Sequence, residues 1–411
     1  MTVFRRNTCR LCGGADLELV LHLTPTPLCD AYVMAERLEE VQEIYPLDLY
    51  LCRGCGYVHL PYVVDPEIIY RNYIYVTTSS MGLSDHFQSY SDSVLGCLRP
   101  PGKSLVVDVG SNDGTLLQCF KKKGMRVLGV EPAKEIAQRA TDSGVDTLPD
   151  FFTPGLADQI KSDQGPAAVI TVNNLFANVD NLDEMMEGIC RLLSPNGVLV
   201  IESSYLGDML RNMVFDFIYH EHLSYFSIKP LAIFFRRFHM ELIDIERVPT
   251  KGGSLRYYVQ LDGGPKSISP SVAKMAAYEN GLSLDRIETY KEFSTKINGI
   301  KAQLLNKLHG IQGQGKTIAG YGGSATTTTL VYHFGLGPLM DYIVDDNMAK
   351  QNTYSPGYHI PVLSPQVMYE KRPDYVIVLA WRYFEPIRRK HQTYLDKGGH
   401  FIVPLPAVSI T

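Results

Sequence analysis

A chain of 411 residues is longer than one hydrophobic core ordinarily organises, so about three domains are expected. With 45% hydrophobic and 20% charged residues it has a globular composition, which excludes a disordered or fibrous chain, and a net charge of -5 argues against a broad cationic surface for nucleic acid or anionic lipid. The opening MTVFRRNTCRLCGG runs into no apolar segment, and nothing later approaches about 18 unbroken apolar residues, so neither secretion nor membrane spanning is expected.

Residues 1–75 are dominated by Cys9-Arg-Leu-Cys12 and Cys52-Arg-Gly-Cys55, two C-x-x-C knuckles each followed by glycine. Such turns let backbone amides point at thiolate sulfurs, and four cysteines suit a tetrahedral structural Zn²⁺ with no open position for water. Metal binding by free thiols fits a reducing compartment, and the cytoplasm is the expected location. Cys29, Cys97, Cys119 and Cys190 have no partner by spacing and read as small buried apolar residues. An amphipathic helix over 83–98 is stopped by Pro100-Pro101-Gly102.

From 104 to 202 strands and helices alternate, which predicts a parallel, doubly wound α/β domain within 76–247. Its first strand turns into a helix through Asp108-Val109-Gly110-Ser111-Asn112-Asp113-Gly114, where glycines let the backbone approach a ligand at the carboxyl end of the strand. That loop has two acids and no lysine; it disfavours a pyrophosphate and suits a cationic sulfonium and an amino group. Glu131 ends the second strand, where a carboxylate accepts from both ribose hydroxyls. Asp150 and Phe151 fall where the third strand ends, offering an acid and an aromatic face to adenine, and Asn173 follows the fourth. The G-x-G-x-x-G spacing of a nicotinamide dinucleotide site is missing. This ordered series resembles the class I S-adenosylmethionine (SAM)-dependent methyltransferases.

The segment Tyr219-His220-Glu221-His222-Leu223-Ser224-Tyr225-Phe226 is the densest set of proton-handling groups, and it follows the last expected strand of this domain, within reach of the site mouth. Val248–Leu261 alternates like a hairpin strand, and 271–309 reads as long helices bridging two domains. A smaller Rossmann-like α/β unit, with this helical linker, is expected over 248–411. Its turn Gly320-Tyr321-Gly322-Gly323-Ser324 opens a helix whose free amides suit phosphate. Together with Lys251, Ser254 and Arg256 of KGGSLR, Gly322 and Ser324 suggest a nucleotide-sugar site between the second and third domains.

The two C-x-x-C pairs, VDVGSNDGTLL, YHEHLSYFS and the glycine turn together resemble the sugar C-methyltransferases of deoxysugar pathways, over nearly the whole chain. The resemblance implies a zinc domain, a SAM domain and a C-terminal Rossmann-like domain. It also implies that a base deprotonates C3 of a nucleotide-linked 4-keto-6-deoxyhexose and that the enolate is methylated. His222 matches the family base, Glu221 and Tyr219 match neighbours that orient the sugar or exchange protons, and Tyr73 matches a tyrosine facing the site. Asn178 stands where many relatives carry histidine; it can hydrogen-bond a sugar but cannot titrate. Methyl transfer to oxygen or nitrogen is the alternative chemistry. The expected partner is the small nucleotide-linked keto sugar, in a monomer or weak homo-oligomer.

Overall fold

In the computed structural model, which describes residues 3–70 and 82–411, strands Leu17–Thr26, Tyr45–Cys52 and Val58–His59 form an antiparallel N-terminal sheet. Its fourth strand comes from far along the chain: Ser224–Tyr225, inside YHEHLSYF, pairs with Val58 and His59. The N-terminal unit therefore holds the histidine segment directly.

The middle sheet has seven strands in the order Met240–Val248, Ser254–Leu261, Leu193–Ser204, Ala167–Asn173, Leu105–Val109, Arg126–Val130, Thr147–Leu148. Leu105–Val109 is buried along its whole length because both faces are covered. Val106 packs toward Tyr90, Leu116 and Phe120, while Val107 and Val109 pack toward Phe176, Leu182 and Ile189. The helix Leu83–Leu98 buries Phe87, Tyr90, Val94 and Leu98 at helical spacing, and Pro154–Gln164 starts where the Thr153 hydroxyl accepts from Leu156 N at 3.2 Å.

The parallel series closes with Leu193–Ser204 as expected, and an antiparallel hairpin extends the sheet: the stretch expected as a hairpin strand over Val248–Leu261 holds the second arm, Ser254–Leu261, with Met240–Val248 as the first. Both arms belong to the middle sheet, since Ser254–Leu261 pairs with Leu193–Ser204. The middle sheet thus runs on to Leu261, and the short turn of the hairpin lies next to the boundary expected at 247/248.

Helices Pro270–Leu282 and Ile287–Gly313 follow. Tyr290, Phe293, Ile297 and Leu304 share a core with Leu21, Leu23, Leu47 and Leu49 of the N-terminal sheet and with Ile318, Ile343 and Ile377 of the C-terminal one. The long helix is therefore the common wall of the first and third units. The last sheet has a parallel centre, Pro361–Leu363, Ile343–Val344, Ile318–Tyr321, Tyr375–Val378 and His400–Val403, with short antiparallel strands at both edges. No helix among the described residues is long and apolar enough to cross a membrane.

Candidate active site

The strand-to-helix turns at the carboxyl edge of the middle sheet enclose a cavity of about 430 Å³. Asp108, Gly110, Asn112, Glu131, Asp150, Phe151 and Asn173 line it, as the sequence suggests, and Asn178 and Lys251 join them. Phe4, Val63 and Pro66 of the N-terminal unit supply apolar wall that no motif announces.

Glu131 is oriented by two backbone donors, Asn112 N on one carboxylate oxygen and Ala133 N on the other, each at 3.0 Å. Each oxygen keeps a second lone pair for a ribose hydroxyl. Burial raises its pKa. Asp108 is buried deeper; its Oδ1 accepts from Thr171 Oγ1 at 2.6 Å and Asn173 Nδ2 at 3.4 Å, and burial pushes its carboxyl up to about 7. Gly110 has φ +75, and a Cβ there would lie 2.8 Å from Leu175 Cδ2, so the loop tolerates no side chain at that point. The buried oxygens Asn173 Oδ1, Asn178 Oδ1 and Ser111 Oγ lack partners among the described residues, although all three residues line the cavity. Acceptors held open against an acidic, partly apolar cavity fit the adenosine and methionine parts of SAM.

Asp113 and Gly114 play a different part from the one expected. The Asp113 carboxylate accepts from Thr115 N and Thr115 Oγ1, at 3.2 and 2.6 Å, and faces a surface groove on the other side of the loop. Gly114 has φ +74 with Val145 packed 3.1 Å from where a Cβ would stand. Both shape the turn and neither lines the cavity.

A second, small cavity of about 10 Å³, room for roughly one water, lies among Phe217, His222, Ser204, Tyr205, Ser224 and Lys251. His222 stacks on Tyr219 with ring centroids 4.6 Å apart, and its Nε2 is 3.2 Å from the Tyr219 hydroxyl. Burial, aided by the Lys251 charge, pushes the His222 imidazole down to about 3, so it is neutral at pH 7. Glu221 is buried, and its charge supports the ammonium of Lys251. His220 points away: it meets Tyr45 of the N-terminal unit edge to face, with Nε2 at 3.3 Å from Tyr45 O. Tyr73 lies outside the described residues. Lys251 lines both cavities, so the two meet at this side chain.

Arg256 and Ser254, expected at the substrate, line neither cavity. Arg256 is buried and paired with Glu202 at 2.8 Å and Glu246 at 2.7 Å, over the face of Tyr90 at 4.0 Å. Its strand position places it against α-helical cover, and its charge is already neutralised. Ser254 is fully buried and donates to Thr250 O. In the C-terminal turn Gly322 has φ +99 with Ala380 against it, and Ser324 Oγ meets Thr326 Oγ1 at 3.0 Å at the start of the helix Ala325–Phe334.

A cation near this turn that the sequence reading does not single out is Arg382. Its Nη2 reaches Thr326 Oγ1 at 3.2 Å, Nη1 pairs with Asp216 at 2.9 Å, and its guanidinium lies 4.4 Å over Phe217, which flanks His222. Arg382 carries no motif. Only the pairing of Tyr375–Val378 beside Ile318–Tyr321 brings the loop after one strand to the glycine turn after the other.

The four cysteine sulfurs lie within 4.8 Å of one another, with Cys9–Cys55 at 3.7 Å and Cys12–Cys52 at 3.6 Å. Tetrahedral Zn–S bonds of about 2.3 Å imply sulfurs about 3.8 Å apart, so the set fits zinc. Arg10, inside the first knuckle, ties the unit to the cavity: Nε bonds Asp180 Oδ1 at 2.9 Å, and Arg6 pairs with the same carboxylate at 2.7 Å.

Comparison with known proteins agrees with this three-part layout. Family models match residues 9–70 ("Putative zinc binding domain"), 84–244 ("Methyltransferase domain") and 249–406 ("C-methyltransferase C-terminal domain"). The C-methyltransferase NovU of Streptomyces niveus is 33% identical over 399 residues, 97% of this chain and 95% of the relative. Among solved structures, SAM-dependent methyltransferases of Anabaena variabilis and Clostridium acetobutylicum align at TM-scores of 0.34 and 0.35 with 13% and 12% identity. Each alignment covers 44% of this chain, and 96% and 92% of theirs respectively. With near full-length similarity to NovU, a SAM-shaped cavity and a zinc-ready cysteine set, the chain belongs to the C-methyltransferase family as a SAM-dependent, zinc-binding methyltransferase.

Proposed function

We propose that this enzyme removes a proton from C3 of a nucleotide-linked 4-keto-6-deoxyhexose and methylates the resulting enolate carbon, in the biosynthesis of a branched deoxysugar. The observation that carries the reading is the neutral, buried imidazole of His222 in a cavity that shares Lys251 as a wall residue with the donor cavity. Bound in that cavity, SAM supplies an electrophilic methyl group. The protein must make a nucleophilic carbon, and a ketone at C4 lowers the acidity barrier at the adjacent carbon enough for an imidazole.

His222 takes the proton on Nε2, and the Tyr219 hydroxyl 3.2 Å away relays it onward. Glu221 balances the positive charge that develops in a pocket with little water. Asn178, with its open oxygen, is suited to receive a sugar hydroxyl. Arg382, with Ser324 and Thr326 at the start of Ala325–Phe334, is suited to the diphosphate, the role sequence alone gives to Arg256 and Ser254. Reduced thiols at the zinc site suit the cytoplasm, and we assign the enzyme there as a monomer or weak homo-oligomer.

The test is a screen of nucleoside-diphosphate 4-keto-6-deoxyhexoses with SAM, read by product mass and by NMR of the methylated carbon. A new methyl on C3 is expected. A methyl on C5, which the same ketone also acidifies, would keep the enolate chemistry and overturn the position; a methyl on oxygen or nitrogen would overturn both. His222→Ala should lower turnover by about 100-fold or more while calorimetry finds S-adenosylhomocysteine binding unchanged.

A further inference from the structure

Among the described residues Lys251 is the one that lines both cavities, and it is set there by unusual backbone. Lys251, Gly252 and Gly253 all have positive φ, +54, +87 and +126, in the tight connection between the two hairpin arms. A non-glycine residue in that region is held at a cost. Space allows no larger neighbour: a Cβ on Gly253 would lie 2.4 Å from Asp208 Cβ, and one on Gly252 3.1 Å from Val214. The turn thus delivers one ammonium into the wall between His222 and the donor cavity.

Lys251 is half-buried, and among the described residues its ammonium has no hydrogen bond or ion pair, so it is free to meet a ligand at the cavity wall. The charges facing it are Glu202 from the end of the middle strand and Glu221 from the histidine segment, both supporting the ammonium, and Arg382 from the C-terminal unit, opposing it. His222 feels its charge in turn. Burial dominates and brings the Lys251 ammonium down to about 8.

Resting on the deprotonation reading above, we propose that Lys251 is a catalytic residue whose ammonium donates to the C4 oxygen of the keto sugar and holds the negative charge of the enolate. The diphosphate, to which sequence alone assigns it, is left to Arg382. As His222 accepts the proton, the C–H pair becomes the C3–C4 double bond and the C4=O π pair moves onto oxygen, against the Lys251 ammonium. When the carbon takes the methyl group, the C4=O bond is restored and the pair of the broken S–C bond stays on sulfur. Lys251 keeps its proton throughout. A donor aimed at developing oxyanion charge in a water-poor site is the arrangement that selectively lowers the barrier.

The experiment measures solvent deuterium exchange at C3 with S-adenosylhomocysteine bound, methylation turnover, and calorimetric affinity for the nucleotide sugar, in wild type, Lys251→Met and Lys251→Arg. K251M should lose about 100-fold in both exchange and turnover, with sugar and S-adenosylhomocysteine affinities near those of wild type. K251R, which keeps a charge, should recover a large part of the loss. Turnover of wild type should fall as pH rises through about 8, and this alkaline limb should move upward in K251R. Wild-type exchange in K251M, or a loss confined to sugar affinity, would overturn the role of Lys251 and leave the enolate reading standing. Absence of exchange in wild type at both C3 and C5 would remove the enolate and Lys251's role with it. S-adenosylhomocysteine binding reports folding of each variant, and K251R serves if K251M fails that check.

Discussion

Histidines 220 and 222 stand two residues apart and face opposite ways: the ring of one turns into the N-terminal unit and that of the other into the small cavity. Both are neutral by burial, with His220 at about 4. A histidine whose pKa is lower in the folded chain than unfolded binds its proton preferentially when unfolded. Stability is then lost as pH falls from near 6.5 toward the folded value. His220→Gln should therefore flatten the fall in unfolding free energy between pH 6 and pH 4.5, by up to about 1.4 kcal/mol per pH unit, measured by urea titration at each pH. An unchanged slope would mean that His220 titrates alike in both states. Arg256 teaches the complementary lesson: a basic residue in a promising motif is consumed by Glu202 and Glu246, which no spacing rule connects to it.

At the scale of elements, the zinc unit acts on the cofactor cavity through a short rigid path. The first knuckle carries Arg10, Arg10 and Arg6 clamp Asp180, and Asp180 with Phe4, Val63 and Pro66 lines the cavity. Arg237 of the middle unit also donates to Leu11 O in that knuckle. Stripping zinc with a chelator should lower both the melting temperature and the affinity for S-adenosylhomocysteine. Asp180→Ala, with zinc retained, should reproduce the affinity loss by about 10-fold or more, since it leaves the buried Arg10 guanidinium unpaired. Equal cofactor affinity with and without zinc would show the metal to be only a local staple. The loops before helices, by contrast, were legible from sequence: Gly110 and Glu131 stand at strand ends because a parallel sheet gathers those ends on one edge.

At the scale of the whole molecule, the surroundings of His222 draw on all three units: Ser224–Tyr225 docks on the N-terminal sheet, Lys251 comes from the middle hairpin, and Arg382 reaches from the last unit to Asp216. Arg382→Ala should raise KM for the nucleotide sugar by about 10-fold or more while S-adenosylhomocysteine affinity stays as in wild type, a split that calorimetry and steady-state kinetics resolve together. Loss of both affinities would instead assign Arg382 to holding the units together.

The sequence by itself determined the cysteine set, the class of the middle fold, the donor loop with Glu131 and Asn173, and the histidine segment. Each is a local pattern whose residues lie close along the chain or recur at strand ends. The tertiary structure alone decided that the hairpin belongs to the middle sheet, that Asp113 shapes a turn, that Arg256 is neutralised, and that the charge of Arg382 is brought to bear on Lys251. These depend on which distant charges meet after folding. Pairing of a buried cation is set by sheet register and domain docking, and neither leaves a periodic trace in the order of residues.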